Sequence, residues 1–384
     1  MSVSFTKEFV RSYGFDEIAL VPTDSTIDPE LVDISTNIAG IKLGVPVIGS
    51  AMDSVVSPKT AIKLAEYGGL GVLNLEGVQT RYEDPEAVLS EIAKVSKADY
   101  VHLMQKIYQD QPIKEELIIA RIKEIKAAGA PAVVSSTPVR ARQLGKLAVE
   151  AGADAFVVQS TVVSLHHRGK GEPLDLKAFC EEMSIPVLVG NTATYEVTKE
   201  LLETGVKGIF VGIGPGAACT TRGVLGVGVP MASSVSDAVR ARDEYEAESG
   251  NYVSIIADGG IVNSGDICKA LACGADAVMI GSPLARSEEA PGKGFHWGMA
   301  TPNAVLPRGA RVEVGTIASL EKIMLGPSNS DDGSQNFAGA IQTCMSTLGV
   351  DNIRDMHKVR VIVAPSLLTE GKVYQKHQHL GMYK

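Results

Sequence analysis

The sequence predicts an α/β protein, a (β/α)8 TIM barrel with an N-terminal extension and a C-terminal mobile flap. Eight short aliphatic runs recur along the chain, and most intervals between them have a helical pattern that ends in a small-residue turn. Runs that are apolar throughout are typical of parallel strands buried on both faces. The length of 384 residues allows either two ordinary domains or one barrel of about 250 residues with insertions. A doubly wound sheet is the competing fold, but no GxGxxG motif follows the first predicted strand.

Each predicted strand is an apolar run that ends at or next to a Gly, Ser, Asn or Asp residue. The eight runs span residues 45–52, 69–74, 131–136, 154–160, 186–191, 208–213, 254–260 and 277–282. Between them lie predicted helices such as ARQLGKLAVEAGAD, TYEVTKELLETGVK and SGDICKALACGAD. The strict alternation of strand and helix is what favours the barrel.

Three segments fall outside the repeat, namely residues 1–44, 75–130 and 283–384. The middle segment predicts two helices, PEAVLSEIAKV and IKEELIIARIKEIKAAGA. The last contains the polar, Gly-rich stretch GPSNSDDGSQN at 326–336, which we expect to be mobile. None resembles an independent domain, so we predict one catalytic domain over residues 1–384 with a flap at approximately 300–340.

Composition excludes several classes of function. A net charge of -9 argues against nucleic acid as the main partner, while a local basic pocket for one phosphate remains compatible with it. No apolar run reaches the roughly 18 residues of a membrane span, and the N-terminus lacks a signal-peptide core. The five cysteines are odd in number and lack metal-finger spacing, which indicates reduced thiols. We therefore expect a cytoplasmic protein that binds small molecules.

The strongest functional signal is GIGPGAACTTRGVLGVGVP at 212–230, which follows the sixth predicted strand. Loops at the carboxyl ends of barrel strands build active sites. A cysteine there, Cys219, is placed to attack an electrophilic carbon, and glycines let backbone N–H groups approach an anion. An isolated cysteine is more often a small buried filler. The flanking GxGPG and TTR elements are what favour the catalytic interpretation.

Two further motifs follow other strands. DGGI at 258–261 and IGS at 280–282 end the last two strands, where barrels commonly hold phosphate through backbone N–H groups. Asp258 would then accept hydrogen bonds from a ribose diol. GSAMDSV at 49–55 should bring Ser50, Met52 and Asp53 to the same mouth, with Met52 as an adaptable surface for a ring. Taken alone, the glycines could only make tight turns, and Met52 would more often belong to the core.

In order along the chain, GSAMD, GGLGVLN, VGNTAT, GIGPGAACTTR, DGGIVNSGDICKALACGADAVMIGS and WGM resemble the motifs of the IMP dehydrogenase/GMP reductase family. The resemblance covers most of the chain and is strongest to the compact branch of IMP dehydrogenase-related proteins. The usual IMP dehydrogenase carries paired CBS modules in its second βα connection, and residues 75–130 are too few to hold them. Allosteric control through such a domain is therefore not expected.

The resemblance implies a reaction and a set of site residues. Cys219 would attack C2 of the purine, hydride would pass to or from a nicotinamide cofactor, and Thr221 would orient a water or leaving group. The implied substrate-binding residues are Ser50, Met52, Asn191, Asp258, Gly260, Gly281, Ser282, Gly298 and Met299. The implied cofactor-binding residues are Gln159, Ser160, Gly212 and Gly214. NAD is the expected cofactor, and IMP and XMP are the expected ligands.

Departures from the family pattern decide between its two reactions. The Arg-Tyr pair that activates water in IMP dehydrogenase is absent between Met299 and Gln342, and the flap Glu of GMP reductase aligns with Arg308. An arginine is almost always protonated and cannot replace a carboxylate as a proton shuttle. We therefore predict NAD-dependent oxidation of IMP to XMP in guanine nucleotide biosynthesis, with Arg308 orienting or deprotonating the water. Arg308 could equally solvate the flap or bind phosphate.

Two alternatives remain open at this stage. One is NADPH-dependent reductive deamination of GMP to IMP, and the other is a non-catalytic purine-nucleotide-binding regulator. Ala217 stands at a common phosphate-binding Ser position and Gln159 at the Asp that contacts the nicotinamide ribose, so the choice between NAD and NADP is also open.

The family's potassium site is a further departure. Its loop carbonyls correspond to Gly214, Gly216 and Cys219, and a neighbouring subunit contributes a Glu-Gly-Gly that here reads Glu370, Gly371, Lys372. The ammonium of Lys372 in the cation's place would make the protein independent of potassium. The same resemblance implies a homotetramer, or an octamer made of two.

Overall fold

The computed structural model describes residue 7 and residues 9–169, 171–299, 310–364 and 370–381. The strands in these ranges are, in chain order, β1 (Ile18–Leu20), β2 (Thr36–Ile38), β3 (Ile41–Leu43), β4 (Val47–Gly49), β5 (Leu70–Asn74), β6 (Val133–Ser136), β7 (Ala155–Gln159), β8 (Val187–Thr192), β9 (Gly208–Val211), β10 (Ser254–Asp258), β11 (Ala277–Ile280), β12 (Phe295–Trp297), β13 (Arg311–Glu313) and β14 (Val361–Val363).

The α-helices in the same ranges are α1 (Pro58–Glu66), α2 (Pro85–Lys94), α3 (Tyr100–Asp110), α4 (Glu115–Ala127), α5 (Ala141–Ala151), α6 (Leu176–Glu182), α7 (Tyr195–Leu202), α8 (Thr221–Leu225), α9 (Met231–Ser249), α10 (Ser264–Ala272), α11 (Ser282–Ala285), α12 (Leu320–Met324), α13 (Phe337–Leu348), α14 (Ile353–Met356) and α15 (Val373–His377). Short 3-10 helices cover Phe15–Glu17, Pro29–Leu31, Val78–Thr80 and Glu370–Lys372. No helix of the described ranges has both the length and the apolar character needed to cross a bilayer.

Eight parallel strands close into a barrel in the order β10, β11, β4, β5, β6, β7, β8, β9. Closure occurs where β11 pairs with β4, with Val278 opposite Val47 and Ile280 opposite Gly49. The eight strands coincide with the eight predicted apolar runs, so the predicted (β/α)8 barrel is confirmed and the doubly wound sheet is excluded.

The barrel interior is filled by aliphatic side chains and one aromatic ring, among them Ile48, Val72, Phe210 and Met279. The hairpin of β2 and β3 adds Ile38 and Leu43 to this cluster, and the Ser254 hydroxyl at the start of β10 donates to the carbonyl of Asn37 at 3.4 Å. The hairpin therefore covers the amino-terminal end of the barrel. A second, larger cluster lies between the strands and the surrounding helices. The carboxyl-terminal end is left for the site.

Residues 75–130 form a helical insert rather than a separate domain. The two predicted helices are present as α2 and α4, whereas α3 was not predicted. Its apolar residues recur at helical spacing, and Met104 and Ile107 pack with Leu89 of α2 and with Trp297 of β12. That spacing was a usable signal for the missing helix. The insert contains no CBS pair and is instead joined to the segment that follows the last barrel strand.

The C-terminal segment is joined to two segments outside the barrel strands, the helical insert and the N-terminal extension. Arg311 of β13 donates to the carbonyls of Ile92 at 2.5 Å and Val95 at 2.9 Å, at the end of α2, and its guanidinium stacks 4.4 Å from the Phe295 ring. These hydrogen bonds satisfy backbone carbonyls that have no partner within the helix at its carboxyl-terminal end. β14 pairs antiparallel with β1, with Ile18 opposite Val363. This link between the N-terminal extension and the C-terminal segment was not predicted.

Part of the predicted flap is regular, packed structure. Residues 300–309 lie outside the described residues, but Leu320, Ile323 and Met324 of α12 are buried against the barrel. In the predicted mobile stretch 326–336, the side chains of Ser334 and Gln335 are also buried. We therefore confine the proposed flap to residues before α12.

Candidate active site

A cavity of about 870 Å³ opens at the carboxyl-terminal ends of the barrel strands, the face on which (β/α)8 enzymes place their sites. Residues at or directly after the carboxyl ends of all eight strands line its wall. The predicted site residues that line it are Ser50, Met52, Gln159, Ser160, Asn191, Gly212, Gly214, Gly216, Cys219, Thr221, Asp258, Gly260, Gly281, Ser282, Gly298 and Met299. Arg308 lies outside the described residues, and Lys372 is not among the residues that line the cavity of its own chain.

Cys219 is exposed to this cavity in the loop after β9. Its Sγ lies 3.2 Å from Oγ1 of Thr221, the first residue of α8, and its N–H donates to the carbonyl of Gly216 at 3.0 Å. Thr221 is buried, so its hydroxyl is held in one place beside the thiol. The two groups singled out in the sequence are thus in contact, and the sulfur remains accessible to a ligand.

The cysteine loop is folded around Arg222. The guanidinium donates to the carbonyl of Ile213 at 3.3 Å and to that of Val229 at 2.6 Å. A Cβ at Gly214, where φ is +75°, would lie 2.8 Å from Cγ of Arg222. Because only glycine tolerates this backbone conformation and this approach, Gly214 permits the loop to close on Arg222. The arginine therefore supports the loop that carries Cys219.

Three polar side chains form a network at the ends of β7, β8 and β10, of which β8 and β10 are the neighbours of β9. Asn191 donates to Oδ2 of Asp258 at 2.7 Å, and Nε2 of Gln159 donates to the same oxygen at 3.2 Å and to Oδ1 of Asn191 at 3.3 Å. Burial raises the pKa of Asp258 to about 6, although both amide hydrogen bonds act in the opposite direction. The carboxylate is ionised at neutral pH and can accept hydrogen bonds from hydroxyl groups.

Asp53 does not face the mouth as predicted. Its carboxylate is buried beneath the cavity, where it accepts hydrogen bonds from the N–H of Val78 and from the hydroxyl of Tyr108, both at 2.7 Å. Burial raises its pKa to about 6. The motif GSAMD therefore contributes Ser50 and Met52 to the cavity, whereas Asp53 joins the insert to the barrel.

Several lining residues were missed by sequence reasoning, and among those that carry ionisable side chains outside the predicted motifs are Arg81, Tyr108, Arg286 and His296. Arg81 and Tyr108 come from the insert, and Arg286 and His296 follow the last barrel strand. Burial lowers the pKa of His296 to about 4, so its ring is neutral at physiological pH. None of the four lies in a glycine-rich motif. Only the fold brings them to the cavity.

The charged side chains that line the described part of the cavity are Glu76, Arg81, Asp258 and Arg286. Glu76 accepts a hydrogen bond from the N–H of Thr137 at 2.6 Å and pairs with Arg140 at 3.3 Å. Within the described ranges no three His, Cys, Asp or Glu side chains gather as a metal site. The groups present can supply a thiol nucleophile, a hydroxyl beside it, a carboxylate for hydroxyl groups and a positive charge for an anion.

A sequence model described as the IMP dehydrogenase/GMP reductase domain matches residues 12–302. A protein of Mycolicibacterium smegmatis, described as an uncharacterized oxidoreductase, is 37% identical over 92% of this chain and 96% of its own. The inosine-5'-monophosphate dehydrogenase of Cryptosporidium parvum is 31% identical over 97% of this chain and 96% of its own.

A solved structure shows the same architecture. The crystal structure of an IMP dehydrogenase/GMP reductase-like protein from Corynebacterium glutamicum superposes with a TM-score of 0.88 at 34% identity. The alignment covers 95% of this chain and 97% of that protein. The similarity thus extends over both chains almost in full.

Proposed function

The chain belongs to the IMP dehydrogenase/GMP reductase family of oxidoreductases, and from that premise we propose that it oxidises IMP to XMP with NAD through a covalent adduct on Cys219. The observation that carries the proposal is the accessible Sγ of Cys219, 3.2 Å from the Thr221 hydroxyl, in a cavity that also holds the Asp258 network. A nucleophile beside a hydroxyl group suits both addition to a purine and later attack by water.

In the first half of the reaction, the Cys219 sulfur forms a bond to C2 of the purine, the thiol proton is lost, and a hydride leaves C2. NAD, when bound, supplies the acceptor for that hydride. Asp258 accepts hydrogen bonds from the ribose hydroxyls, and the turns at Gly260 and Gly281 receive the phosphate. Held at three places, the nucleotide presents C2 to the sulfur in a fixed geometry.

In the second half, water attacks the carbon of the Cys219 thioimidate, the carbon–sulfur bond breaks, and XMP leaves with the thiol restored. Thr221 orients this water through Oγ1, which already lies beside Sγ. We propose that Arg308, which lies outside the described residues, orients or deprotonates the water from the flap.

The residues present fit a nicotinamide cofactor on one side of the cavity. Gln159 uses Nε2 for Asn191 and Asp258, while Oε1 accepts no hydrogen bond from the described residues and is free for a ribose hydroxyl. The Ser160 hydroxyl donates to the carbonyl of Val162 at 2.7 Å and keeps its capacity to accept. Ser135 and Thr137 extend this polar wall. The cavity of about 870 Å³ is at the upper end of the usual range for ligand sites.

The discriminating assay follows absorbance of the reduced cofactor with purified protein. We expect NADH to form from IMP and NAD, and no consumption of NADPH with GMP. Cys219→Ala should bind IMP without making NADH, whereas Cys180→Ala, a change in helix α6 outside the cavity, should keep activity. Consumption of NADPH with GMP, and no reaction with IMP, would instead assign the protein to reductive deamination. Binding of IMP with neither reaction would identify a non-catalytic regulator.

A further inference from the structure

Two of the five cysteines face each other outside the candidate active site. Cys268 lies on α10 and Cys344 lies on α13, and these two helices pack against each other. Both residues are free thiols. Neither lines the described part of the cavity, and the reaction proposed above uses neither of them. That reaction therefore leaves the pair without a role.

The two side chains lie between the same two helix faces. Sγ of Cys268 is 4.0 Å from the carbonyl oxygen of Ala340. Ala340 precedes Cys344 by one helical turn on α13, and residues four positions apart share one face of a helix. The two thiols also interact with each other through a hydrogen bond. A disulfide requires two side chains that already point at each other at short range, and this pair meets the requirement.

The two thiols differ in reactivity. The hydrogen bond to Cys344, together with burial, raises the pKa of Cys268. The half-buried Cys344 accepts that hydrogen bond, which lowers its own pKa. By contrast, burial raises the pKa of Cys180 and that of Cys273 to about 11. Because the thiolate is the reactive form of cysteine, Cys344 is the nucleophile of the pair and Cys268 is its resolving partner.

We propose that Cys268 and Cys344 form a redox modification site, at which a peroxide converts the two thiols into a disulfide that joins α10 to α13. This inference does not rest on the proposed function. The Cys344 thiolate attacks one oxygen of hydrogen peroxide, the O–O bond breaks, and the leaving hydroxide takes up a proton to become water. The Cys268 sulfur then attacks the sulfenic acid, the S–O bond breaks, and the Cys268 proton leaves with the hydroxide as a second water. The two thiols lose two electrons, which the peroxide gains.

The disulfide joins parts of the fold that are far apart in the chain. A cross-link of this kind restricts the unfolded chain, and the restriction grows with the length of the loop that it closes. Helix α10 also supports the mouth of the barrel, since Oδ2 of Asp266 accepts the N–H of Val262 at 2.9 Å and Val262 lines the cavity. Oxidation therefore fastens the C-terminal segment to a helix that holds the wall of the site.

Peptide mapping after treatment with hydrogen peroxide tests the site. The Cys219→Ala variant is the parent protein for this experiment, because the exposed Cys219 also reacts with peroxide. We expect one disulfide, between the peptides that contain Cys268 and Cys344, and its reversal by dithiothreitol. Cys273→Ser, at the end of the same helix, is the matched control and should leave this disulfide in place. A disulfide between other cysteines, or none at peroxide concentrations that oxidise Cys219 in the wild type, would overturn the proposal.

Two labelling experiments separate the roles of the thiols. In Cys268→Ala the sulfenic acid at Cys344 has no resolving partner, so dimedone should label Cys344 after peroxide treatment. In the native wild type, which needs no variant to fold, iodoacetamide should alkylate Cys344 at least about tenfold faster than Cys180 or Cys273, because more of it is thiolate. Equal alkylation rates at the three cysteines, or no dimedone label at Cys344, would refute its role as the nucleophile.

Thermal unfolding measures the consequence of the cross-link. The oxidised parent protein should have a higher Tm than the reduced parent, and dithiothreitol should remove the difference. Cys344→Ser in the same parent should have one Tm with and without peroxide. A rise in Tm that is equally large in Cys344→Ser, or no rise in a parent that carries the disulfide, would show that the bond does not fasten the two helices.

Discussion

Asp258 shows how the surroundings of one side chain control its chemistry. Its carboxylate lies in a buried network with two amide donors, and burial raises its pKa to about 6. The group therefore titrates around the pH that equals this pKa and is ionised at neutral pH. In its ionised form it accepts hydrogen bonds from hydroxyl groups, and when protonated it loses part of that capacity.

This pKa predicts an acid limb in the pH profile. For the wild type, kcat/KM for IMP should fall about tenfold per pH unit below about pH 6, because protonated Asp258 holds the ribose less well. Asp258→Asn should lower kcat/KM about tenfold to a hundredfold at neutral pH and remove this limb. Asp237→Asn, a change at a half-buried position of α9 where the carboxylate pairs with Arg240, should retain it. Persistence of the limb in Asp258→Asn would assign the titration to another group.

Asp53 predicts an effect of pH on stability. Its pKa is about 6 in the folded protein against an ordinary value of 3.8, so the folded state holds the proton more tightly than the unfolded state. The free energy of unfolding must therefore decrease as the pH rises through this window. Relative to wild type, Asp53→Asn should gain about 1 kcal/mol between about pH 5 and about pH 7.5. Denaturant unfolding at both pH values measures the gain, and a constant difference would contradict it.

At the scale of residues, the sequence revealed the groups that lie inside motifs. Cys219 and Asp258 could be predicted because glycine-rich turns at strand ends mark a barrel mouth, and Asn191 because its motif resembles that of the family. Arg286 and His296 could not be, since a charged or aromatic residue outside such a turn is usually a surface or core group. Asp53 was misplaced because the motif gives its position at the strand end and not the direction of its side chain.

At the scale of elements, the helical insert and the segment after the last barrel strand form one support beneath the mouth. Tyr108 of α3 donates to Asp53 at 2.7 Å and accepts from Nε1 of Trp297 at 3.0 Å. Arg311 of β13 ties the end of α2 to the same region. These contacts connect three segments that are far apart in the chain, and they fix the base of the loop that carries Met52.

This arrangement predicts a specific loss of stability. Tyr108→Phe removes one hydroxyl that serves two buried partners, and it should lower the free energy of unfolding by about 2–3 kcal/mol. Tyr100→Phe is the matched control on the same helix, because the Tyr100 hydroxyl makes no hydrogen bond to the described residues. It should cost less than about 0.5 kcal/mol. Equal effects of the two changes in denaturant unfolding would show that the Tyr108 hydroxyl is not a structural link.

The sequence predicted the elements that have a strong hydrophobic pattern. It failed to predict the pairing of strands that lie far apart in the chain. All eight barrel strands were apparent, because a strand buried on both faces is continuously apolar. The pairing of β1 with β14 joins segments more than 300 residues apart, and two three-residue strands give no local pattern. Helix α3 had a readable apolar spacing, but it lies between two helices of clearer pattern.

At the scale of the whole molecule, the two ends of the barrel have different roles. The hairpin of β2 and β3 covers the amino-terminal end, and the catalytic candidates gather at the carboxyl-terminal end. The chain length allowed either two domains or one enlarged barrel, and the eight alternating strand and helix patterns correctly predicted the barrel. The sequence could not predict assembly, since a single sequence does not show which surfaces pair. We propose a homotetramer, or an octamer, which gel filtration with light scattering measures.

Assembly bears on the cation requirement. The carbonyl of Gly216 accepts the N–H of Cys219, and Lys372 is not among the residues that line the cavity of its own chain. We propose that Lys372 reaches the cysteine loop of a neighbouring subunit. We predict equal rates in sodium and potassium, and a loss of activity or a new need for potassium in Lys372→Ala. Lys376→Ala, one turn further along in α15, should behave as wild type. Strict potassium dependence of the wild type would contradict this.

The most direct test of the account is mass spectrometry of the protein quenched during turnover with IMP and NAD. We predict a population whose mass is increased by one purine nucleotide, with the modification on the peptide that contains Cys219 and absent in Cys219→Ala. An active wild-type protein that never carries the adduct, or that carries it on another cysteine, would contradict the central claim.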